Sequence, residues 1–165
     1  MITSNSFFMS SLELESALAD LRSTNKEVRA HASASLSGMG KTAVPPLLTL
    51  LNDTNWVIRY RAAEALGAIG DVQVVESLIA LTTDEKDHVR YMAAKSLGKM
   101  QDPRIPPILI GLLTDDHPYT RRIAAEGLAR SGSDLAKTPL MQALEQEPDP
   151  DVKNAIRTAL SQIMS

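Results

Sequence analysis

The chain has 165 residues and a mass of 17.9 kDa, which is one domain by length or one array of smaller repeated units. Apolar residues make up 44% and aromatic ones 4%, so the chain can bury a core and must build it from aliphatic side chains. Lys plus Arg number 17 against 20 Asp plus Glu, a net charge of -3, so no broad positive field exists for nucleic acid or an anionic membrane. The absence of Cys excludes disulfides, thiolate metal sites and cysteine nucleophiles.

Residues 1–10 are polar apart from Ile2, Phe7, Phe8 and Met9. They read as a flexible N-terminal segment, with Phe7, Phe8 and Met9 packing on the first helix or fraying with the terminus. No basic stretch precedes an apolar one, so this is not a signal peptide, and no window approaches the roughly 18 apolar residues of a spanning helix. A cytoplasmic location is therefore expected. Leu12, Leu14, Leu18 and Leu21 mark an amphipathic cap helix over 11–22. From 11 to 165 the chain reads as one repeat domain, with units starting near 25, 55, 87 and 118 and a terminal helix over 150–164.

Each unit opens on the same pattern. Its basic residue is Arg29, Arg59, Arg90, Arg121 or Lys153, at steps of 30, 31, 31 and 32. Three residues later come Ala32, Ala62, Ala93, Ala124 and Ile156, then Leu36, Leu66, Leu97, Leu128 and Leu160. With Met39, Ile69, Met100, Ser131 and Ile163 these positions form one helical stripe. A second helix follows, marked by Leu47, Leu78, Leu109 and Leu140 at steps of 31, often with proline in its first turn. Gly70 and Gly132 suit left-handed caps at the ends of first helices. Glu147, Pro148, Asp149, Pro150 and Asp151 form the clearest connector. Each unit is thus a helical hairpin of about 31 residues that cannot bury its stripe alone, and stacking neighbours makes the core continuous. The expected fold is all-α, a short solenoid of about nine helices. Both ends read as caps, so the array reads as complete.

Ile58–Arg59, Ala62–Ala63, Leu66–Gly67 and Gly70–Asp71, repeated as Val89–Arg90, Ala93–Ala94 and Leu97–Gly98, resemble the short HEAT-like repeats named after phycobilisome lyases. The resemblance runs from about Asn25 onward and implies a right-handed superhelix whose second helices line the concave side. It implies a wide range of functions: bilin lyase subunits, phycobilisome-degradation factors, an iron hydroxylase and plain scaffolds. The hydroxylase relatives hold iron through His-Glu pairs. Here His31, His88 and His117 are followed by Ala32, Val89 and Pro118, which argues against that activity.

The basic column Arg29, Arg59, Arg90, Arg121, Lys153 reads as a structural ladder, each member capping or pairing with the acidic turn of the preceding unit at Asp53, Asp84 or Asp115. The histidines occupy different phases of the repeat and form no column, so no metal site is expected. No serine elbow, phosphate loop or dinucleotide fingerprint occurs, and no catalytic residue or cofactor is assigned. Two surfaces can bind. Thr49, Asn52, Glu76, Thr83, Thr114, Gln142 and Glu145 form a groove on the second helices. Trp56, Tyr60, Tyr91, Tyr119 and Arg122 form an aromatic and arginine patch on the first helices, with packing between repeats as the competing explanation and Trp56 as its most buried member. The expected function is a non-catalytic scaffold for an unidentified protein partner. The alternative is a phycobilisome-associated factor: a lyase subunit that attaches bilin, a chaperone or a degradation protein. A homodimer could form through the apolar ends, Leu12, Leu14, Leu18 and Leu21 or Ile156, Leu160, Ile163 and Met164.

Overall fold

In the computed structural model the described residues are 3–165, with side chains described from residue 11. They form ten α-helices, not nine, and no strand. In chain order these are α1 (Thr3–Asp20), α2 (Lys26–Gly38), α3 (Val44–Leu50), α4 (Trp56–Ile69), α5 (Val75–Leu81), α6 (Asp87–Leu97), α7 (Ile105–Gly111), α8 (Pro118–Ser131), α9 (Lys137–Gln146) and α10 (Pro150–Met164). The even-numbered helices from α2 onward are the first helices of the units. The odd-numbered ones from α3 onward are the second. Helix α1 is longer than the expected cap helix. It takes in residues 3–10 because no Gly or Pro there stops a helix from propagating. The expected packing of Phe7, Phe8 and Met9 falls outside the described side chains.

Local chemistry sets the helix ends. Asn25 Oδ1 accepts from the amides of Glu27 and Val28, and Asn55 Oδ1 from that of Val57. Asp149 does the same for α10, ahead of a proline in its first turn. Helices α4 and α8 end on Gly70 (φ 70°) and Gly132 (φ 60°), left-handed positions that glycine adopts without strain.

The repeated leucines form the core. Leu36, Leu66, Leu97 and Leu128 from first helices, and Leu47, Leu78, Leu109 and Leu140 from second helices, are all 0% exposed. Each contributes about 2 kcal/mol of hydrophobic stabilisation, and each belongs to a layer shared with its neighbours. Alanines Ala62, Ala93 and Ala124, also 0% exposed, let adjacent first helices come close. The approach is tightest at Gly98, where an added Cβ would lie 3.0 Å from the Gly127 Cα, and at Gly67, where it would collide with Ser96.

Successive first helices touch along much of their length, whereas second helices barely meet one another. An array packed tighter in one layer bends toward that layer. The concave side is therefore lined by α2, α4, α6, α8 and α10, and the expectation that second helices line it is corrected. The small residues on the first helices are the physical reason.

The apolar ends are smaller than the sequence suggests. Leu21 and Ile156 are core residues at 0% and 1% exposure, while Leu14, Leu18, Leu160 and Ile163 are half-buried. Leu12 and Met164, at 50% and 68%, are the exposed members.

Candidate functional site

The repeated arginine ties consecutive units together. Arg59 Nε and Nη2 donate to Asp84 at 2.7 and 2.8 Å, while Nη1 donates to the Asp53 carbonyl at 2.8 Å. Arg90 repeats this with Asp115 at 2.7 and 3.1 Å and the Asp84 carbonyl at 3.0 Å. Arg121 does so with Glu147 at 2.8 Å twice and the Asp115 carbonyl at 2.8 Å. The carboxylate thus comes from the turn that follows, and the preceding turn supplies only backbone carbonyls. The capping of the preceding turn expected from the sequence is present, and the ion pairing runs in the other direction.

Each acid also accepts from the amide two residues on, at Asn55, Lys86, His117 or Asp149. Burial pushes the Asp84 and Asp115 carboxyls up, but the arginine and amide hydrogen bonds outweigh it and hold both below the ordinary value. Glu147 is held low by Arg121 first of all. Sequence reasoning missed Glu147, although it stands one step of 32 beyond Asp115. The two ends of the ladder differ. Asp53 pairs with Arg22, and Arg29 binds only the carbonyls of Ser23 and Thr24, its Nε buried without a partner. Its spacing to Asp53 is one residue shorter than that of Arg59 to Asp84. Lys153 makes no ion pair among the described residues.

The aromatic and arginine residues converge on the concave side. A cavity of about 300 Å³ opens across the first two turns of α4, α6 and α8, lined by Tyr60, Tyr91, Tyr119 and Arg122 together with Asp87, His88 and His117. Helix stacking explains the convergence: Tyr60, Tyr91 and Arg122 share one repeat position, and His88 and Tyr119 share another. Trp56 forms the rim. It is half-buried, not the buried member of the set, and its ring lies 5.2 Å from that of His88. The ring row continues from His88 to His117 at 6.5 Å and from His117 to Tyr119 at 5.2 Å. Tyr119 is the most open, at 60% exposure. Burial raises the Tyr60 hydroxyl above its ordinary pKa, with the Glu64 charge adding to it.

Asp87 joins two units here. Its carboxylate lies 2.9 Å from His88 Nδ1 and 3.3 Å from His117 Nε2, and the hydrogen bond to His88 holds it below the ordinary carboxylate value. Two histidines of different phase therefore meet without any column of histidines forming. His88 is in the first turn of α6 and His117 caps α8, and these helix starts lie side by side. The usable signal was that both stand within two residues of a first-helix start. Among the described residues no group of three or more His, Asp or Glu is placed to hold a metal ion, and no helix is long and apolar enough to cross a membrane.

The second-helix groove is a different kind of surface. Thr49, Asn52, Glu76, Thr83, Thr114, Gln142 and Glu145 are all exposed. Thr83 and Thr114 donate their hydroxyls to carbonyls of their own helices at 3.0 Å, and Glu76 meets Arg104 at 3.3 Å. These residues lie on the outer layer, where the helices diverge.

A family model described as HEAT repeats matches residues 14–91 and 75–161. No curated protein matches the chain in sequence. Among solved structures, a chain of the complex of CpcE and CpcF of phycocyanin lyase from Nostoc sp. PCC7120 superposes with a TM-score of 0.82 and 26% identity, covering 90% of this chain and 98% of that one. An engineered protein superposes with a TM-score of 0.61 and 24% identity over 92% of this chain and 79% of its own. A designed armadillo repeat protein in complex with the peptide (KR)4 gives 0.61 and 16% over 91% and 81%. These last two share the fold.

Proposed function

The chain belongs to the HEAT-repeat family, is related to the phycobilisome lyase proteins, and has a protein-interaction fold; on that premise we propose that it is a partner-binding subunit of the phycocyanin-lyase kind. One observation carries the reading. The likeness to the lyase-complex chain runs end to end at 26% identity, with 98% of that chain covered. In this role the protein pairs with a second HEAT-like subunit and holds an antenna polypeptide, or the bilin destined for it, against the concave side.

The cleft supports the role physically. It is concave, walled by rings and edged by a few polar groups, which is the general form of a ligand site. The Arg59, Arg90 and Arg121 bridges keep adjacent first helices in register beneath it. With no Cys in the chain, any thiol used in attaching a pigment comes from the partner.

The test combines the purified protein with an apo-phycocyanin subunit, with a CpcE- or CpcF-type subunit, and with free phycocyanobilin. Co-elution with one of the polypeptides in a defined complex, and a bilin absorbance shift in that complex, is the expected result. Elution of the bare chain in every mixture, with an unchanged bilin spectrum, refutes the proposal. The second reading is a scaffold that holds a protein and no pigment. The ring-and-cation surface favours it, since side chains fit that surface as well as a pigment does. Co-elution without any spectral change would select it.

A further inference from the structure

We propose that the α4–α6–α8 face takes an acidic, extended segment of a protein partner, with one apolar or aromatic side chain of that segment seated in the cleft. The inference rests on the concave side being the partner-binding side; it does not depend on the partner being an antenna protein.

A cation stands over Trp56 and over each tyrosine of this face. Lys86 lies over Trp56 at 5.8 Å, Arg61 over Tyr60 at 5.3 Å, Lys95 over Tyr91 at 5.7 Å and Arg122 over Tyr119 at 5.7 Å. A ring face holds a cation in place without cancelling its charge. Arg61 is neutralised by Glu64 at 2.7 Å. Lys86 and Lys95 are not. Among the described residues Lys86 and Lys95 have no carboxylate within 4.0 Å, and Arg122 reaches only Glu126, at 4.0 Å. Arg122 Nε is buried with no hydrogen-bond partner. Asp87, the carboxylate in the cleft wall, is already engaged by His88 and His117. The aromatic face of this protein of net charge -3 therefore carries two lysines without a carboxylate partner, beside the Asp87 carboxylate.

Geometry selects the form of the ligand. Lys86 stands at the start of α6 and Lys95 in its last turn, about 13 Å apart along the axis, a span that an extended chain covers in about four residues. Two free lysines suffice for a few carboxylates. They are few for nucleic acid, whose binding grows with the number of phosphates neutralised and would work against the net charge of the protein.

The test uses a fluorescein-labelled peptide of about ten residues with Glu at every fourth position, Gln elsewhere and a central Phe, matched to the spacing above. Its anisotropy is titrated with the full chain at about 50 mM and about 300 mM salt. Trp56, the single Trp, gives a second optical signal at the cleft rim. The expected result is saturable binding that weakens with salt and falls about tenfold when Glu is replaced by Gln in the peptide. The double variant Lys86→Gln, Lys95→Gln should show a similar loss with unchanged circular dichroism. The all-Gln peptide binding equally well overturns the proposal. So does the double variant binding like the wild type, no binding up to about 1 mM, or tighter binding of a single-stranded oligonucleotide. The antenna reading is judged separately, by co-elution with the phycocyanin polypeptides, so either idea can fail while the other stands.

Discussion

Replacing Arg90 by Met keeps the aliphatic stem and removes the donors that bridge two units. The Arg90 and Asp115 side chains are 16% and 6% exposed, so solvent screens the pair only weakly. The substitution breaks the two-pronged contact with Asp115 and the bond to the Asp84 carbonyl. It leaves Asp115 with the His117 amide as its remaining hydrogen bond from this cluster. Breaking a buried pair by deleting one partner costs about 3 kcal/mol, a large part of the stability of an ordinary domain. At this chain length that is a fall in Tm of about 6–12 °C. Asp115→Asn keeps an acceptor for the His117 amide and should cost less, about 1–2 kcal/mol. The double variant should lose clearly less than the two singles together, a coupling of about 2 kcal/mol, because the second change removes the stranded charge. Urea unfolding followed by circular dichroism near neutral pH measures all four proteins. A coupling below about 0.5 kcal/mol would mean that the ladder behaves as an exposed ion pair, and the account of how the units are held in register would fail.

Three further outcomes follow from the same geometry. Gly67→Ala places a Cβ against Ser96, so α4 and α6 must separate; a loss of about 1–3 kcal/mol in urea unfolding is expected, and an unchanged midpoint would show that the close approach is not needed. Hydrogen bonds from arginines, His88 and backbone amides hold Asp53, Asp84, Asp87, Asp115 and Glu147 below the ordinary carboxyl values in the folded chain. A carboxyl of lowered folded pKa stabilises above its unfolded pKa, and that stability is lost as pH falls through the folded value. Tm should therefore stay level down to about pH 5 and drop below about pH 4, and a curve level to about pH 2 would contradict the ladder. Asn55→Ala removes the acceptor for the Val57 amide at 2.9 Å and should cost about 1 kcal/mol, read as a lowered Tm; no change would place the start of α4 under tertiary control alone.

The helical stripes were legible because they depend on one local rule. A residue every three or four positions faces the same way on a helix, so Leu66, Leu97 and Leu128, and Leu78, Leu109 and Leu140 on the second helices, announce a stacked array before any contact is known. The patch of Trp56, Tyr60, Tyr91, Tyr119 and Arg122 could be named because equal repeat position becomes spatial adjacency once units stack. The extension of α1 back to Thr3 was misread because polar composition says little where nothing interrupts a helix.

What sequence alone determined is the set of helices, their buried faces and the repeat that stacks them, because each depends on the near neighbours of a residue along one helix. Tertiary structure decided the rest. Arg90 takes the carboxylate of Asp115 and only the backbone carbonyl of Asp84, because the return path of α7 brings the later turn against the side-chain tip, a matter of loop geometry that spacing does not encode. His88 and His117 meet across Asp87 because two helix starts from different units lie side by side. The concave side belongs to α4, α6 and α8 because Gly67, Gly98 and Gly127 let that layer close more tightly than the other, and a difference between two layers cannot be read from either one.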